Sequence, residues 1–462
     1  MVNFLLPITF FSKTYSYSLA EPMAMISLPV FILIILLQLF RFPERLSRII
    51  PSIKAVLLGA FFWLSQMVAM FFSYTKTGES QLTSGIVHSG ILLFGWTLAV
   101  YIAWAVLQVT INSEEDEKKF IKSGLIGLIC YLIFVIFPQL LVTFHFTKFN
   151  LYVNDLASLF EQRWRSFSGY DFNASGAYSL SQNRINGFEP EASYLANLLG
   201  IAYLPILIGV TVGGQKIWRF LRDAKYQVFI NSLFTLVVVF VLVLAKTTTG
   251  ILIAIVAYLL WIFWAKGKLK QALIITLVIG LLGLTIAYTN VHLIHQLLNQ
   301  FLFAKQNTDN RLGGSIGLAL TFLNHPLIGV GSGFTSFYTI QNVPISATHN
   351  FEFQQVYSQY GFPILSEFLG WMASFGLVIM LPAFWLLARL IMKSFLVQKK
   401  VISLNATKID QNWASSMHVS FITMVILVAF SSIFIIRVYL WPYLLMFFFY
   451  RKHIMRLEEE LQ

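Results

Sequence analysis

The sequence predicts an all-α, polytopic membrane protein with about 11 transmembrane helices, or 12 if an N-terminal apolar segment also crosses. Composition is the first reason, since 57% of the 462 residues are hydrophobic and only 11% are charged. Water-soluble domains carry about 25% charged residues. The second reason is the recurrence of apolar runs about 20 residues long, the length that crosses about 30 Å of hydrocarbon. The third is the alternation of basic connections along the chain.

Eleven apolar runs are predicted to cross the membrane. They cover residues 23–40, 55–73, 86–110, 122–146, 192–213, 228–246, 248–265, 271–289, 367–393, 417–436 and 438–450, of which the last is short. Residues 2–11 are also apolar but too short to span, and they lack the basic leader and small-residue cleavage site of a signal peptide. This segment is expected to lie at the membrane interface or to re-enter the membrane.

Basic residues give the chain a formal charge of +12. In a membrane protein such an excess sets orientation, because connections rich in lysine and arginine remain in the cytoplasm. Nucleic acid is therefore not expected as a partner. Most of the 32 basic residues lie on alternate connections, which are predicted to be cytoplasmic: 41–54, 118–122, 216–225, 266–270, 389–408 and 451–456.

This orientation places the two long connections, 147–191 and 290–366, together on the extracytoplasmic side. The second connection is predicted to contain short helices at 311–323 and 351–360, lying against the outer leaflet. No internal repeat, flexible linker or soluble domain interrupts the chain. Residues 1–462 are therefore predicted to form a single transmembrane domain whose functional residues lie in the two outer loops.

The first candidate patch lies where the loop 147–191 meets the next span. Arg184 can form a permanently charged, two-pronged contact with a phosphate group, and Glu191 complements the positive end of the following helix. A structural interpretation is also open, in which Arg184 reaches lipid headgroups and Glu191 only caps the helix. Lys246 lies in a polar hinge between two later spans. It either adds a cation to an anion pocket or belongs to a tight connection.

The second candidate patch lies in the loop 290–366. It contains Arg311, the His325-Pro326 pair that ends a helix, and His349 followed by Asn350. An imidazole can take up a proton near neutral pH. His349 is therefore the first candidate for a general base, and the amide of Asn350 is a candidate for holding a sugar hydroxyl. Both histidines are equally open to a purely structural role.

Metal and redox chemistry find little support in the sequence. Cys130 is the only cysteine and lies in an apolar run, so no intramolecular disulfide and no cysteine-based metal site is expected. His292 and His295 are close enough for one helix face, but without a nearby acidic partner they are a weak metal signal. Neither a metal nor another cofactor is expected.

Taken together, the short motifs of both outer loops resemble those of a known protein family. In the second loop they are Arg311-Leu-Gly, Asn324-His-Pro-Leu-Ile-Gly-Val-Gly-Ser-Gly, Thr348-His-Asn and Glu367-x-x-Gly; upstream they are Arg184-x-x-Gly-Phe and Glu191-x-Ser. This combination, with the span count and the order of the loops, resembles the O-antigen polymerase/ligase family of bacterial polysaccharide assembly. Many members have a Thr-x-Ser-Arg-x-Gly-like element where this chain has Lys246-Thr-Thr-Thr-Gly, so Lys246 is the stand-in for an arginine.

The resemblance implies a glycosyltransferase of the bacterial inner (plasma) membrane with its active site on the periplasmic or outer side. It would polymerise polyprenyl-diphosphate-linked repeat units into the O-antigen of lipopolysaccharide or into exopolysaccharide. Its partners would be the lipid-linked glycan donor and acceptor, membrane lipid and a chain-length regulator. The diphosphate would bind Arg184, Arg311 and Lys246. His349 or Glu191 would be the base, and Asn350 would contact the acceptor sugar.

Two alternatives remain open. An O-antigen ligase that transfers a finished glycan to lipid A-core would share the donor chemistry. A transporter or flippase of lipid-linked sugars would share the span count, but it is expected to carry ionisable residues deep within its spans. In this sequence the polar groups concentrate at the outer ends of the spans. The polymerase is therefore the preferred prediction.

Overall fold

The computed structural model describes residues 27–161, 166–167, 170–171, 176–218, 223–292, 295, 299, 309–350, 352–403, 410–433 and 440–461. Over these residues the chain is helical apart from its connections and one antiparallel ladder, which pairs Ser166–Phe167 with Tyr170–Asp171. The prediction of an all-α fold is thus confirmed, with this ladder as a minor addition. The predicted interfacial segment 2–11 lies outside the described residues.

The helices are numbered in chain order. They are α1 Ser27–Arg41, α2 Ile53–Thr77, α3 Ile86–Thr110, α4 Glu114–Thr143, α5 Asn150–Phe160, α6 Tyr178–Gln182, α7 Ala192–Val212, α8 Ala224–Leu244, α9 Thr248–Trp264, α10 Gly267–Asn290, α11 Asp309–Asn324, α12 Thr335–Asn342, α13 Glu367–Ser403, α14 Gln411–Ser432 and α15 Leu440–Glu460. Shorter helical turns cover Pro43–Ile49, Thr147–Phe149, Ile345–Thr348, Phe353–Tyr357 and Ser358–Tyr360. Both long connections therefore contain short helices.

Eight of the described helices are long and apolar enough to cross a membrane, namely α2, α3, α4, α7, α8, α10, α13 and α14. Two shorter apolar helices, α1 and α9, coincide with further predicted spans. The last predicted span, 438–450, falls on the first half of α15, whose second half carries several charges. Eight of the eleven predicted spans therefore meet the criterion of length and apolarity.

The start of α4 differs from the prediction. The helix begins at Glu114 rather than at residue 122. Ser113 caps it, since its hydroxyl accepts a hydrogen bond from the Asp116 N–H at 3.2 Å, and the acidic first turn faces the positive end of the helix dipole. Hydropathy located the apolar part of the helix but not these charged first turns.

Helix α7 is the central helix of the molecule. Its span is 94% buried, whereas that of α10 is only 6% buried. The second half of α7 packs against α8, α9 and α14, and its side chains join the largest apolar core, which includes Tyr203, Trp261 and Trp413. Groups at the N-terminus of α7 are therefore carried by the most deeply buried of the eight candidate spans.

Helix α13 is broken at Gly376, whose φ of 62° is left-handed. Beyond the break, the Leu377 N–H donates to Pro326 O at 2.8 Å and the Val378 N–H donates to Leu327 O at 3.0 Å. A Cβ atom at Gly376 would lie 2.3 Å from Leu327 O, so only glycine fits. The glycine-rich segment that follows α11 is consequently a tight, packed connection rather than a flexible one.

A buried ionic cluster joins α4, α14 and α15. Glu117 is 1% exposed, and its carboxylate accepts hydrogen bonds from Trp413 Nε1 at 2.9 Å and from Arg456 Nε and Nη2, each at 2.9 Å. His453 Nδ1 lies 2.8 Å from the same carboxylate. In the sequence Glu117 ends the acidic run 114–117. In the structure its side chain is buried where α4, α14 and α15 meet.

Candidate functional site

The turn that carries the first candidate patch is fixed by one side chain of α4. Gln139 Oε1 accepts hydrogen bonds from the backbone N–H groups of Gly187 at 2.8 Å and Asn186 at 3.2 Å, and Gln139 Nε2 donates to Gly187 O at 2.7 Å. Gly187 has a φ of 64°, and a Cβ there would lie 1.8 Å from the Tyr131 hydroxyl oxygen. The turn between Arg184 and α7 is therefore a defined element.

Arg184 is oriented by Tyr178, the first residue of α6. The Tyr178 hydroxyl oxygen accepts hydrogen bonds from the Arg184 guanidinium and from the N–H of Ala192, the first residue of α7. Burial, assisted by the nearby negative charge of Glu191, raises the pKa of Tyr178 to about 12. The phenol is therefore neutral at physiological pH and holds Arg184 without neutralising its charge.

Lys246 joins the same cluster from the hinge between α8 and α9. Its ammonium donates to Asn183 O at 3.0 Å. Burial, together with the positive charge of Arg184, lowers the pKa of Lys246. Thr247 caps α9, since its hydroxyl accepts from the Gly250 N–H at 3.0 Å. The hinge is thus a tight connection that also holds the Lys246 ammonium near Arg184. A role of Lys246 in an anion pocket stays a prediction.

Two carboxyl groups flank the entrance of α7. Glu191 immediately precedes the helix, and Ser193 Oγ donates to its carboxylate at 3.4 Å. Glu189 is 2% exposed, and burial raises its pKa well above the usual range. Sequence reasoning chose Glu191 and passed over Glu189. The signal that could have indicated Glu189 is its position, followed by Pro190, directly before an apolar span, because a side chain there is readily buried.

The second candidate patch is organised by a pair of asparagine amides. Asn310 Nδ2 donates to Asn350 Oδ1 at 3.1 Å, and Asn350 Nδ2 donates back to Asn310 Oδ1. Asn350 Nδ2 also donates to Ala347 O at 2.7 Å, while its Oδ1 accepts from the Phe353 N–H at 2.8 Å. The Asn350 amide, predicted to contact a sugar, thus links the start of α11 to the turn Ile345–Thr348. These hydrogen bonds position the backbone next to His349.

Arg311 and His349 are the direct chain neighbours of the hydrogen-bonded pair Asn310 and Asn350. Arg311 is half-buried and His349 is exposed. Within the described ranges neither side chain has a hydrogen bond or an ion pair, so both are available to a ligand. No hydrogen bond or ion pair between described residues joins them to the cluster of Arg184, Glu191 and Lys246. The structure therefore brings three of the six predicted site residues, Arg184, Glu191 and Lys246, into one cluster. The other three, Arg311, His349 and Asn350, lie in a second.

Chemically, the first cluster suits an anionic group, because its two cations outnumber the Glu191 carboxylate. Two cations lie beside each other at the positive end of α7, and the phenol that orients one of them stays neutral. The chain matches no protein-family model and no curated protein. The candidate site therefore rests on the contacts of its own residues, Arg184, Glu191 and Lys246.

Proposed function

We propose that the chain is a membrane glycosyltransferase that polymerises polyprenyl-diphosphate-linked oligosaccharide repeat units into O-antigen or exopolysaccharide. The observation that carries the proposal is the proximity of Arg184 and Lys246 at the N-terminus of α7. A diphosphate presents several negative charges, and the planar guanidinium can bind two oxygens of one phosphoryl group with two parallel hydrogen bonds. Val243, which is 45% exposed and lies one turn before Lys246, adds an apolar surface that suits a donor carried on a polyprenyl chain.

In the proposed reaction, an acceptor sugar hydroxyl attacks the anomeric carbon of the donor sugar. A carbon–oxygen bond forms, the bond from that carbon to the diphosphate oxygen breaks, and the electron pair remains on the polyprenyl diphosphate. Cations directed at the leaving oxygen stabilise the charge as it develops. We assign this role to Arg184 and Lys246, with Arg311 as a third cation from the second loop.

The proton of the attacking hydroxyl passes to a base, for which we assign His349 and, as the alternative, Glu191. His349 is exposed and forms no hydrogen bond with another residue that the structure describes, so its ring is accessible to a substrate hydroxyl. Asn350 acts beside it as a positioning residue, because its amide pair with Asn310 anchors the turn that carries the imidazole.

Product analysis tests the proposed function directly. The purified protein, given a synthetic polyprenyl-diphosphate-linked repeat unit and no other acceptor, should yield a ladder of lengthening glycans. Product formed only when lipid A-core is added would instead identify a ligase. Movement of the lipid-linked sugar across a bilayer without new bonds would identify a flippase.

The same assay tests the base. His349→Ala should lower the rate of ladder formation by about 10²-fold, the usual contribution of a general base. His295→Ala is the matched control in the same outer loop, since His295 already bonds Asn299 at 2.9 Å and stacks on Tyr288. Normal turnover in the His349 variant would transfer the assignment to Glu191.

We further propose that the protein lies in the plasma (inner) membrane with both long connections on the outer side. In a Cys130→Ser background, Ser346→Cys should react with an impermeant thiol reagent added to intact cells, because Ser346 is exposed in the second long connection. Lys268→Cys, exposed at the start of α10, should react only after the cells are opened. The reverse pattern would overturn the orientation.

A further inference from the structure

A cleft lies where the C-terminal end of α2 meets the connection between α11 and α12. Its volume is about 330 Å³. The cleft is separate from both candidate patches, and neither the polymerase chemistry nor the family resemblance uses it. Its lining includes Phe72, Ser73, Lys76, His325, Leu327 and Tyr338.

The two basic groups of the cleft converge on one aromatic ring. The Lys76 ammonium lies 5.1 Å from the centre of the Tyr338 ring, and the His325 ring packs edge-on against the same tyrosine with the centroids 4.9 Å apart. Among the described residues, neither the Lys76 ammonium nor a ring nitrogen of His325 has a hydrogen-bond or ion-pair partner. The cleft therefore offers two nitrogen groups to a ligand.

Among the residues that the structure describes, no acidic side chain lines the cleft to balance Lys76. The nearest acid along the chain, Glu79, instead accepts a hydrogen bond from the Tyr74 hydroxyl at 2.8 Å. The pKa of His325 is lowered, first by burial and also by the positive charge of Lys76. An anion between the two groups would relieve this repulsion, because it attracts both.

The rim of the cleft is apolar and open. Leu327 is 66% exposed and Phe72 is 62% exposed. Phe72 lies near the C-terminal end of α2, a helix apolar enough to cross a membrane, and Leu327 lines the cleft from the connection after α11. At the end of a spanning helix the hydrocarbon region of a bilayer gives way to the headgroups. A ligand that combines an anionic head with hydrocarbon chains would contact both parts of this surface, whereas a free anion would leave the apolar rim uncovered.

The wall that carries His325 is held in place. Gly329 N–H donates to His325 O at 3.2 Å and Val330 N–H donates to Ala373 O at 2.8 Å in α13. Ser73, in the facing helix, donates its hydroxyl to Val330 O at 2.6 Å. Because α2, the connection and α13 are bonded to one another here, the cleft is formed before a ligand arrives, which lowers the entropic cost of binding.

We propose that this cleft binds the phosphate headgroup of a membrane lipid, with Lys76 and His325 on the phosphate oxygens and the acyl chains along Phe72 and Leu327. The inference does not depend on the proposed glycosyltransferase activity. It assigns the outer end of α2 a specific lipid contact rather than a general attraction to the headgroup region.

The test is lipid retention by the full chain. The purified protein is reconstituted in phosphatidylcholine nanodiscs that contain a minor fraction of phosphatidic acid, and native mass spectrometry counts the phosphatidic acid that stays bound. One molecule should be retained by the wild type. Lys76→Gln should weaken retention about tenfold or more, through loss of a charge-assisted hydrogen bond, and Lys76→Arg should restore it. His325→Gln should weaken retention less, since a lowered pKa leaves the imidazole mostly neutral.

Lys54→Gln is the matched control, because Lys54 is an exposed lysine at the other end of the same helix. Equal losses in Lys54→Gln and Lys76→Gln would reduce the effect to unspecific attraction and overturn the proposal. Full retention in Lys76→Gln would overturn it as well. Displacement of the lipid by millimolar inorganic phosphate would show that the cleft takes the free anion, which contradicts the assignment to a lipid.

Discussion

Replacing Arg184 by alanine is expected to lower turnover of a polyprenyl-diphosphate-linked glycan by about 10²–10³-fold, the usual effect of removing one donor that stabilises a developing negative charge. The charge cannot be supplied by Lys246 alone, because a point charge lacks the two parallel hydrogen bonds of a guanidinium. Arg184→Lys should therefore also lose most activity although the charge is kept. Single-turnover rates in one nanodisc preparation measure the effect.

Two further variants separate chemistry from folding. Tyr178→Phe removes the hydroxyl that accepts the Arg184 hydrogen bond but leaves the cation, so it should cost less activity than Arg184→Ala. Arg389→Ala removes an exposed arginine that lies 5.5 Å from the Trp385 ring, far along the chain from both candidate patches, and it should leave turnover unchanged. If Arg184→Ala and Arg389→Ala had equal turnover, Arg184 would have no role in the reaction.

Glu117→Ala is expected to lower the free energy of unfolding by about 3–5 kcal/mol, the scale observed when one member of a buried ion pair is removed. The substitution leaves Arg456, which is 13% exposed at its side chain, without its main carboxylate, and it removes the acceptor of the Trp413 indole. Thermal unfolding in detergent, followed by tryptophan fluorescence, should show a much lower midpoint. The yield of folded protein should fall in parallel.

The control for this variant lies in the same turn of α4. Glu115 pairs with Lys119 at 3.1 Å, but both side chains are well exposed, and such a pair contributes about 0.5 kcal/mol or less. Glu115→Ala should therefore unfold at nearly the wild-type temperature. A Glu117 variant as stable as the Glu115 variant would mean that the cluster does not hold α4, α14 and α15 together.

The positions of the helices could largely be predicted from the sequence, because hydrophobic runs report directly on burial in lipid. The run 86–110 coincides with α3, and the helix ended by Pro326 is α11. The break at Gly376 escaped prediction, since hydropathy does not register a left-handed φ. The charged start of α4 escaped for a related reason: residues such as Glu117 are polar in sequence and buried only by tertiary contacts.

The candidate site was predictable as a set of residue types but not as an arrangement. Lys246 and Asn183 are far apart in sequence, and nothing local to either indicates that the ammonium reaches the carbonyl. The role of Tyr178 in holding Arg184 depends on how α6 folds back on α7. Asn350 shows the converse, because its side chain looks free in the sequence and is occupied by Asn310 in the fold.

The broken helix α13 also bears on how the chain is assembled during synthesis. Leu327 O receives its hydrogen bond from Val378, which leaves the ribosome about 3–10 s later at the usual elongation rates. During that interval the carbonyl groups of Pro326 and Leu327 lack the hydrogen bonds that α13 later donates. The C-terminal end of α2 waits longer still, because Val330, which accepts a hydrogen bond from Ser73, follows it by 257 residues and so by about 13–50 s at the same rates. The order of translation therefore makes α13 the last of these three elements to be synthesised, so its hydrogen bonds to the connection form after α2 and α11 are already made.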